Sequence, residues 1–138
     1  MRKIAIIILA LVLLPAVISL AGPVSINLDS RLQNSPPAPR LRYPINDTVI
    51  LPTNQPLEFR WWSDFTQTSG YIFKLYKGYN MSAANLILKE ELPPKASSIK
   101  IKPELLNAGQ VYTWSLVRIS FSGSKSDKSF NSFKVIRK

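Results

Sequence analysis

The chain has 138 residues, and its 18 Lys and Arg against 8 Asp and Glu give a formal charge of +10. It has no Cys and no His. That excludes a disulfide framework, thiolate and imidazole metal sites, the commonest general base and the usual pH switch.

The first residues read as an export signal. Arg2 and Lys3 precede an apolar run from Ile4 to Leu14, Pro15 interrupts it, and Ala16 to Ala21 ends in small residues. This is the pattern of a secretory signal over residues 1–21, with cleavage predicted after Ala21. The alternative is an uncleaved anchor, because residues 4–21 sit at the lower length limit for spanning a bilayer. Membrane contact is expected only if that segment is retained. Either reading puts the rest of the chain outside the cytoplasm: secreted, periplasmic or at the cell surface. Without Arg2 and Lys3 the balance is 16 basic against 8 acidic residues. Such a surplus favours anionic partners and equally serves solubility. No aromatic-plus-glycine pattern points to nucleic acid.

Residues 22–40 are polar and end in Pro36-Pro37-Ala38-Pro39, which predicts an extended tether. From Leu41 the texture is short β-branched and aromatic runs separated by turn residues, the mark of a sandwich or barrel. Leu57, Phe59 and Trp61 alternate with Glu58, Arg60 and Trp62; Tyr71, Phe73 and Leu75 alternate with Ile72, Lys74 and Tyr76. Ser82 to Leu88 lacks a clear period and reads as a loop with a short strand at Leu86–Leu88. Ile99 and Ile101 flank Lys100; Tyr112, Trp114 and Leu116 alternate with Thr113, Ser115 and Val117; Phe133 and Val135 flank Lys134. Period two sends each aromatic set to one face, the predicted core.

Two stretches resemble the bacterial fibronectin type III / immunoglobulin-like sandwich. One is Leu41-Arg42-Tyr43-Pro44 through Val49, followed by Pro56-Leu57-Glu58-Phe59-Arg60-Trp61. The other is Leu106-Asn107-Ala108-Gly109-Gln110-Val111-Tyr112-Thr113-Trp114-Ser115-Leu116. The resemblance implies an all-β, seven-stranded antiparallel sandwich over residues 41–138. It also implies that Tyr112 is a corner tyrosine bonded to backbone near Leu106, and that Phe133-Lys134-Val135 closes the fold. Such a fold does not specify a function. Arg118 departs from the pattern. It is in phase with Tyr112, Trp114 and Leu116, and a lone guanidinium in a core is costly. A bulge, a position at the sandwich end with its head in water, or a partner such as Asp64 or Asp127 would each resolve this; the sandwich end is the expected outcome.

The outward positions give the candidate contacts. Ile72, Tyr76, Val117, Ile119 and Phe121 share a phase, and with Ile136 they predict an apolar patch for a partner or for self-association. Trp62 is the candidate for stacking on a sugar. Lys95, Lys100 and Lys102 flank a predicted edge strand, where lysine blocks pairing. Two glycosylation sequons, at Asn46 and Asn80, matter only in a glycosylating host. The eight carboxylates form no pair with a supporting constellation, and no cofactor is implied. The expected function is that of a non-catalytic, exported binding or structural module of the cell envelope, contacting protein or polysaccharide. A membrane-anchored accessory subunit and a carbohydrate-binding module are the alternatives.

Overall fold

The structure, a computed structural model, describes residues 35–64 and 66–138. The predicted signal over residues 1–21, and the predicted tether up to residue 34, lie outside the described residues.

Two sheets face each other. The strands are β1 (Arg40–Tyr43), β2 (Thr48–Leu51), β3 (Leu57–Trp62), β4 (Thr68–Lys77), β5 (Leu86–Leu92), β6 (Ser98–Ile101), β7 (Val111–Ser120) and β8 (Ser129–Arg137). One sheet has the order β1-β3-β6 and the other β2-β8-β7-β4-β5. The all-β sandwich is as expected, but the strands number eight among the described residues, and they are not all antiparallel. The stretch from Leu41 through Val49 runs through two strands that lie in different sheets. β1 pairs antiparallel with β3, whereas β2 pairs parallel with β8. Between them stands Pro44, which has no N–H to continue the β1 ladder; the Tyr43–Pro44 peptide is cis.

Period-two alternation decides the core. Leu57, Phe59 and Trp61 on β3 face Tyr71, Phe73 and Leu75 on β4, Tyr112, Trp114 and Leu116 on β7, and Phe133 and Val135 on β8; all are buried. Phe59 is the central contact between the sheets. Its ring meets Phe73 at 5.2 Å, Trp114 at 5.1 Å and Phe133 at 5.7 Å between centroids, each edge-on. Edge-to-face packing sets the positive ring edge on the negative face. The Trp114 indole N–H donates to the Pro44 carbonyl at 3.0 Å, which ties the β1–β2 crossing to the core.

Tyr112 occupies the corner as expected. Its hydroxyl accepts the Asn107 N–H at 2.7 Å, beside the buried Leu106. β5 is longer than the sequence pattern suggests. A 3-10 turn covers Ala83–Asn85, and the strand then runs through Leu92 at the free edge of the larger sheet. Its Lys-Glu-Glu stretch conceals it from a periodicity reading, because an edge strand with little to bury has no need to alternate.

Candidate functional site

The end of the sandwich where β3 leads into β4 carries the densest polar construction. Tyr71 and Thr68 fix the backbone of Asp64 in the intervening loop. The Asp64 N–H donates to the Tyr71 hydroxyl at 3.2 Å, and the Thr68 hydroxyl donates to the Asp64 carbonyl at 2.5 Å. The Asp64 carboxylate then has two donors. Oδ1 accepts the Thr66 N–H at 3.1 Å, and Oδ2 accepts Arg118 Nη1 at 3.1 Å. The Thr66 bond, then the guanidinium, hold this carboxyl below its ordinary 3.8.

Arg118 reaches Asp64 from β7, one inward position beyond Leu116. It is only 6% exposed, so the expected position with its head in water is not what the fold adopts. The partner resolves it instead: among the described residues Asp64–Arg118 is the ion pair, and Asp64 stays largely in solvent. The strap before β8 holds the other side. The Arg118 N–H donates to Ser126 Oγ at 2.9 Å, and the Ser126 N–H donates to the Arg118 carbonyl at 2.9 Å. Arg118 Nε has no partner.

Two clefts open on this pair. The larger, about 930 Å³, is bounded by Pro37, Gln67, Ser122 and Phe121. The smaller, about 260 Å³, is bounded by Pro37, Pro39, Arg40, Tyr71 and Trp62. Both aromatic residues at these rims are exposed. Trp62 is 54% exposed and Phe121 is 74% exposed. The Arg42 guanidinium carbon lies 4.8 Å from the Trp62 ring centroid, within cation–π range.

No family model and no curated protein matches the chain. Among solved structures, a Clostridium thermocellum CbhA fibronectin(III)-like module structure shares 14% identity at a TM-score of 0.49, covering 72% of this chain and 96% of that one. The Clostridium perfringens spore cortex lytic enzyme SleM shares 18% at 0.48, covering 72% of this chain; this chain spans 28% of its length. The chitin-active lytic polysaccharide monooxygenase BlLPMO10A shares 17% at 0.47, covering 66% of this chain and 59% of that one. Likenesses this distant assign no function to this chain.

The apolar patch expected on the larger sheet is largely closed. Ile72 and Val117 are directly opposed across β4 and β7, yet Ile72 is 8% exposed and Tyr76 is 5% exposed. β4 is flanked on both sides: Ile72 lies between Val117 and Glu91, and Tyr76 between Thr113 and Leu86. Val117 and Ile119 are half-buried. Phe121 is not on the sheet face at all. β7 ends at Ser120, and the Phe121 N–H donates to the Gln67 carbonyl at 3.2 Å, which puts Phe121 in the turn at the cleft rim. Ile136 is exposed at the opposite end of the sheet beside Ile50. The residues therefore do not form one surface. The alternation is right about phase, but phase does not report how much the neighbouring side chains cover a position.

Trp61 and Trp62 divide as adjacent strand residues should: Trp61 is buried and Trp62 faces out. Sequence reasoning missed the guanidinium groups beside Trp62. Arg40 and Arg42 share the outward phase of β1, and the pairing of Arg40 with Trp62 sets that phase beside the ring; strand pairing leaves no mark in a period-two reading of either run. Among the described residues, no three His, Cys, Asp or Glu side chains lie close enough to hold a metal ion, and no helix is long and apolar enough to cross a membrane.

Proposed function

We propose that the chain is an exported, non-catalytic binding module of the cell envelope that contacts protein or polysaccharide through the Trp62–Phe121 end of its sandwich. The observation that carries the reading is the pair of accessible aromatic rings, Trp62 and Phe121, at the rims of clefts whose floor is the strapped Asp64–Arg118 pair. Large apolar rings left in water beside a rigid polar floor are the composition of a contact site. The rest of the fold supplies rigidity, and export rests on the signal pattern of residues 1–21.

Retention of the full chain on isolated envelope polymers and envelope protein extracts tests it. The wild type is retained, and a Trp62→Ala, Phe121→Ser double variant is released at an unchanged melting temperature. Equal retention of the two proteins removes the site, and no retention of the wild type by any envelope fraction removes the function. Mass spectrometry of the mature N-terminus tests export: a first residue of Gly22 supports release, and a peptide beginning at Met1 or Arg2 supports the anchored accessory-subunit alternative.

The carbohydrate-binding reading has its own observation in Trp62, whose exposed ring lines the smaller cleft with Arg40 and Tyr71. A planar ring beside hydrogen-bonding side chains suits the apolar face and hydroxyl rim of a sugar.

A further inference from the structure

The outer face of the three-stranded sheet carries cations arranged on aromatic rings. On β3 the outward residues are Glu58, Arg60 and Trp62. Across the sheet, Trp62 opposes Arg40, Arg60 opposes Tyr43, and Glu58 opposes Lys100 on β6. Arg42 lies over Trp62 at 4.8 Å, and Arg60 lies over Tyr43 at 5.4 Å from the guanidinium carbon to the ring centroid. Arg40, Arg42, Arg60 and Lys100 are all exposed, and among the described residues none of them is in an ion pair. Glu58 is the one carboxylate on these three strands. A sheet face normally mixes charge signs, since unpaired like charges repel. Here four cations spread over all three strands face a single acid.

From this we infer that the outer face of the β1-β3-β6 sheet binds an acidic polysaccharide, its carboxylate-bearing sugars held by Arg40, Arg42, Arg60 and Lys100. This rests on the binding-module reading above and names the class of its ligand. Three features select that class. Guanidinium forks match a carboxylate with two parallel N–H bonds. Two of the three arginines lie over rings, which limits their rotamer freedom before a ligand arrives and lowers the ordering cost of binding. The cations spread over three adjacent strands, about 10 Å across at strand spacings near 4.8 Å, which suits an extended polymer better than a small anion. An anionic bilayer would match the charge, but a membrane-inserting surface needs free apolar side chains. The one large exposed apolar ring on this face, Trp62, has Arg42 over it, while Phe121, Phe130 and Ile136 stand elsewhere.

The test is affinity electrophoresis of the full chain in mild detergent through gels containing polygalacturonate, with neutral dextran as the control polymer, at low and at physiological salt. The comparison is between Arg42→Gln/Arg60→Gln and Lys74→Gln/Lys89→Gln. The second pair removes equal charge from opposed positions on the outer face of the other sheet. The wild type is retarded by polygalacturonate and not by dextran. The arginine pair weakens binding by about tenfold or more, as loss of charge-assisted pairs requires. It also flattens the salt dependence, while the lysine pair changes affinity by less than about twofold. Equal weakening by both pairs means a diffuse charge effect and overturns the proposal. So does wild type that binds phosphatidylglycerol vesicles but not polygalacturonate. Retardation by dextran that Trp62→Ala abolishes would overturn the acidic-ligand assignment while leaving the binding-module reading intact.

Discussion

The two faces of β3 make different demands on adjacent residues. Leu57, Phe59 and Trp61 point inward and are buried, whereas Glu58, Arg60 and Trp62 point outward. Trp61 is 2% exposed, and its neighbour Trp62 is more than half exposed. The inner ring is held by shape, through contacts from the opposite sheet. The outer ring has a cation over it and is more than half open to solvent. Indole is used on one face as filling and on the other as a surface to be touched. Stability and binding should therefore separate between alternate residues of one six-residue strand.

The separation can be broken hardest from the inside. Phe59→Ala should cost about 3–5 kcal/mol in urea unfolding, the range for a large ring deleted from a packed core, because three edge-on partners lose their contact at once. Gly70→Ala should cost about 1–3 kcal/mol by overpacking. A Cβ there would stand 2.7 Å from the Leu92 carbonyl oxygen on the edge strand, and neither backbone has room to yield while the β4–β5 ladder is kept. A loss below the error of the melt would show that the edge strand gives way.

A finer comparison lies between the two buried tryptophans. Trp114 Nε1 is hydrogen-bonded to Pro44, whereas Trp61 Nε1 has no partner. Changing each to Phe removes an indole N–H from both sites, but only the Trp114 change breaks a hydrogen bond; the Pro44 carbonyl keeps its second donor, Asn131 Nδ2, at 3.1 Å. Trp114→Phe should be the more destabilising by about 1 kcal/mol, the net value of one buried hydrogen bond. Equal losses would mean that the Pro44 bond adds nothing to the β1–β2 crossing.

The Asp64–Arg118 pair gives a pH handle on the sandwich end. The Asp64 pKa is depressed, first by the Thr66 N–H and then by Arg118. The unfolded chain therefore binds the proton more readily, and the stabilisation is fully present above the ordinary 3.8. It is lost as pH falls through the lower folded value. Melting temperature against pH should show this loss on the acid side, and Asp64→Asn should flatten it. An unchanged acid limb in Asp64→Asn would assign the loss to other carboxylates.

The inner rows were legible because period two is local: five runs of alternating residues gave the buried positions of β3, β4, β6, β7 and β8. What escaped depends on partners far along the chain. β2 is a separate strand because β8, more than eighty residues on, offers its edge in parallel. Arg118 is buried because Asp64 lies 54 residues away in sequence and beside it in space. Ile72 and Tyr76 have the phase of surface residues but stand on a strand flanked on both sides. The cation–aromatic face was hidden because it depends on β1 pairing with β3, which sets Arg40 opposite Trp62 and Tyr43 opposite Arg60. Of the candidate site, Trp62 was visible by type and phase and Phe121 by type alone; that they bound clefts around one ion pair was not.

The central claim is that the outward face of β3 binds while its inward face stabilises. Trp62→Ala in the full chain tests it most directly, with retention on envelope polymers and the urea midpoint measured on the same preparation. Retention lost while stability changes by less than about 1 kcal/mol, the scale of an exposed cation–π contact, is the predicted result. Unchanged retention, or retention lost together with a core-sized fall in stability, would contradict it.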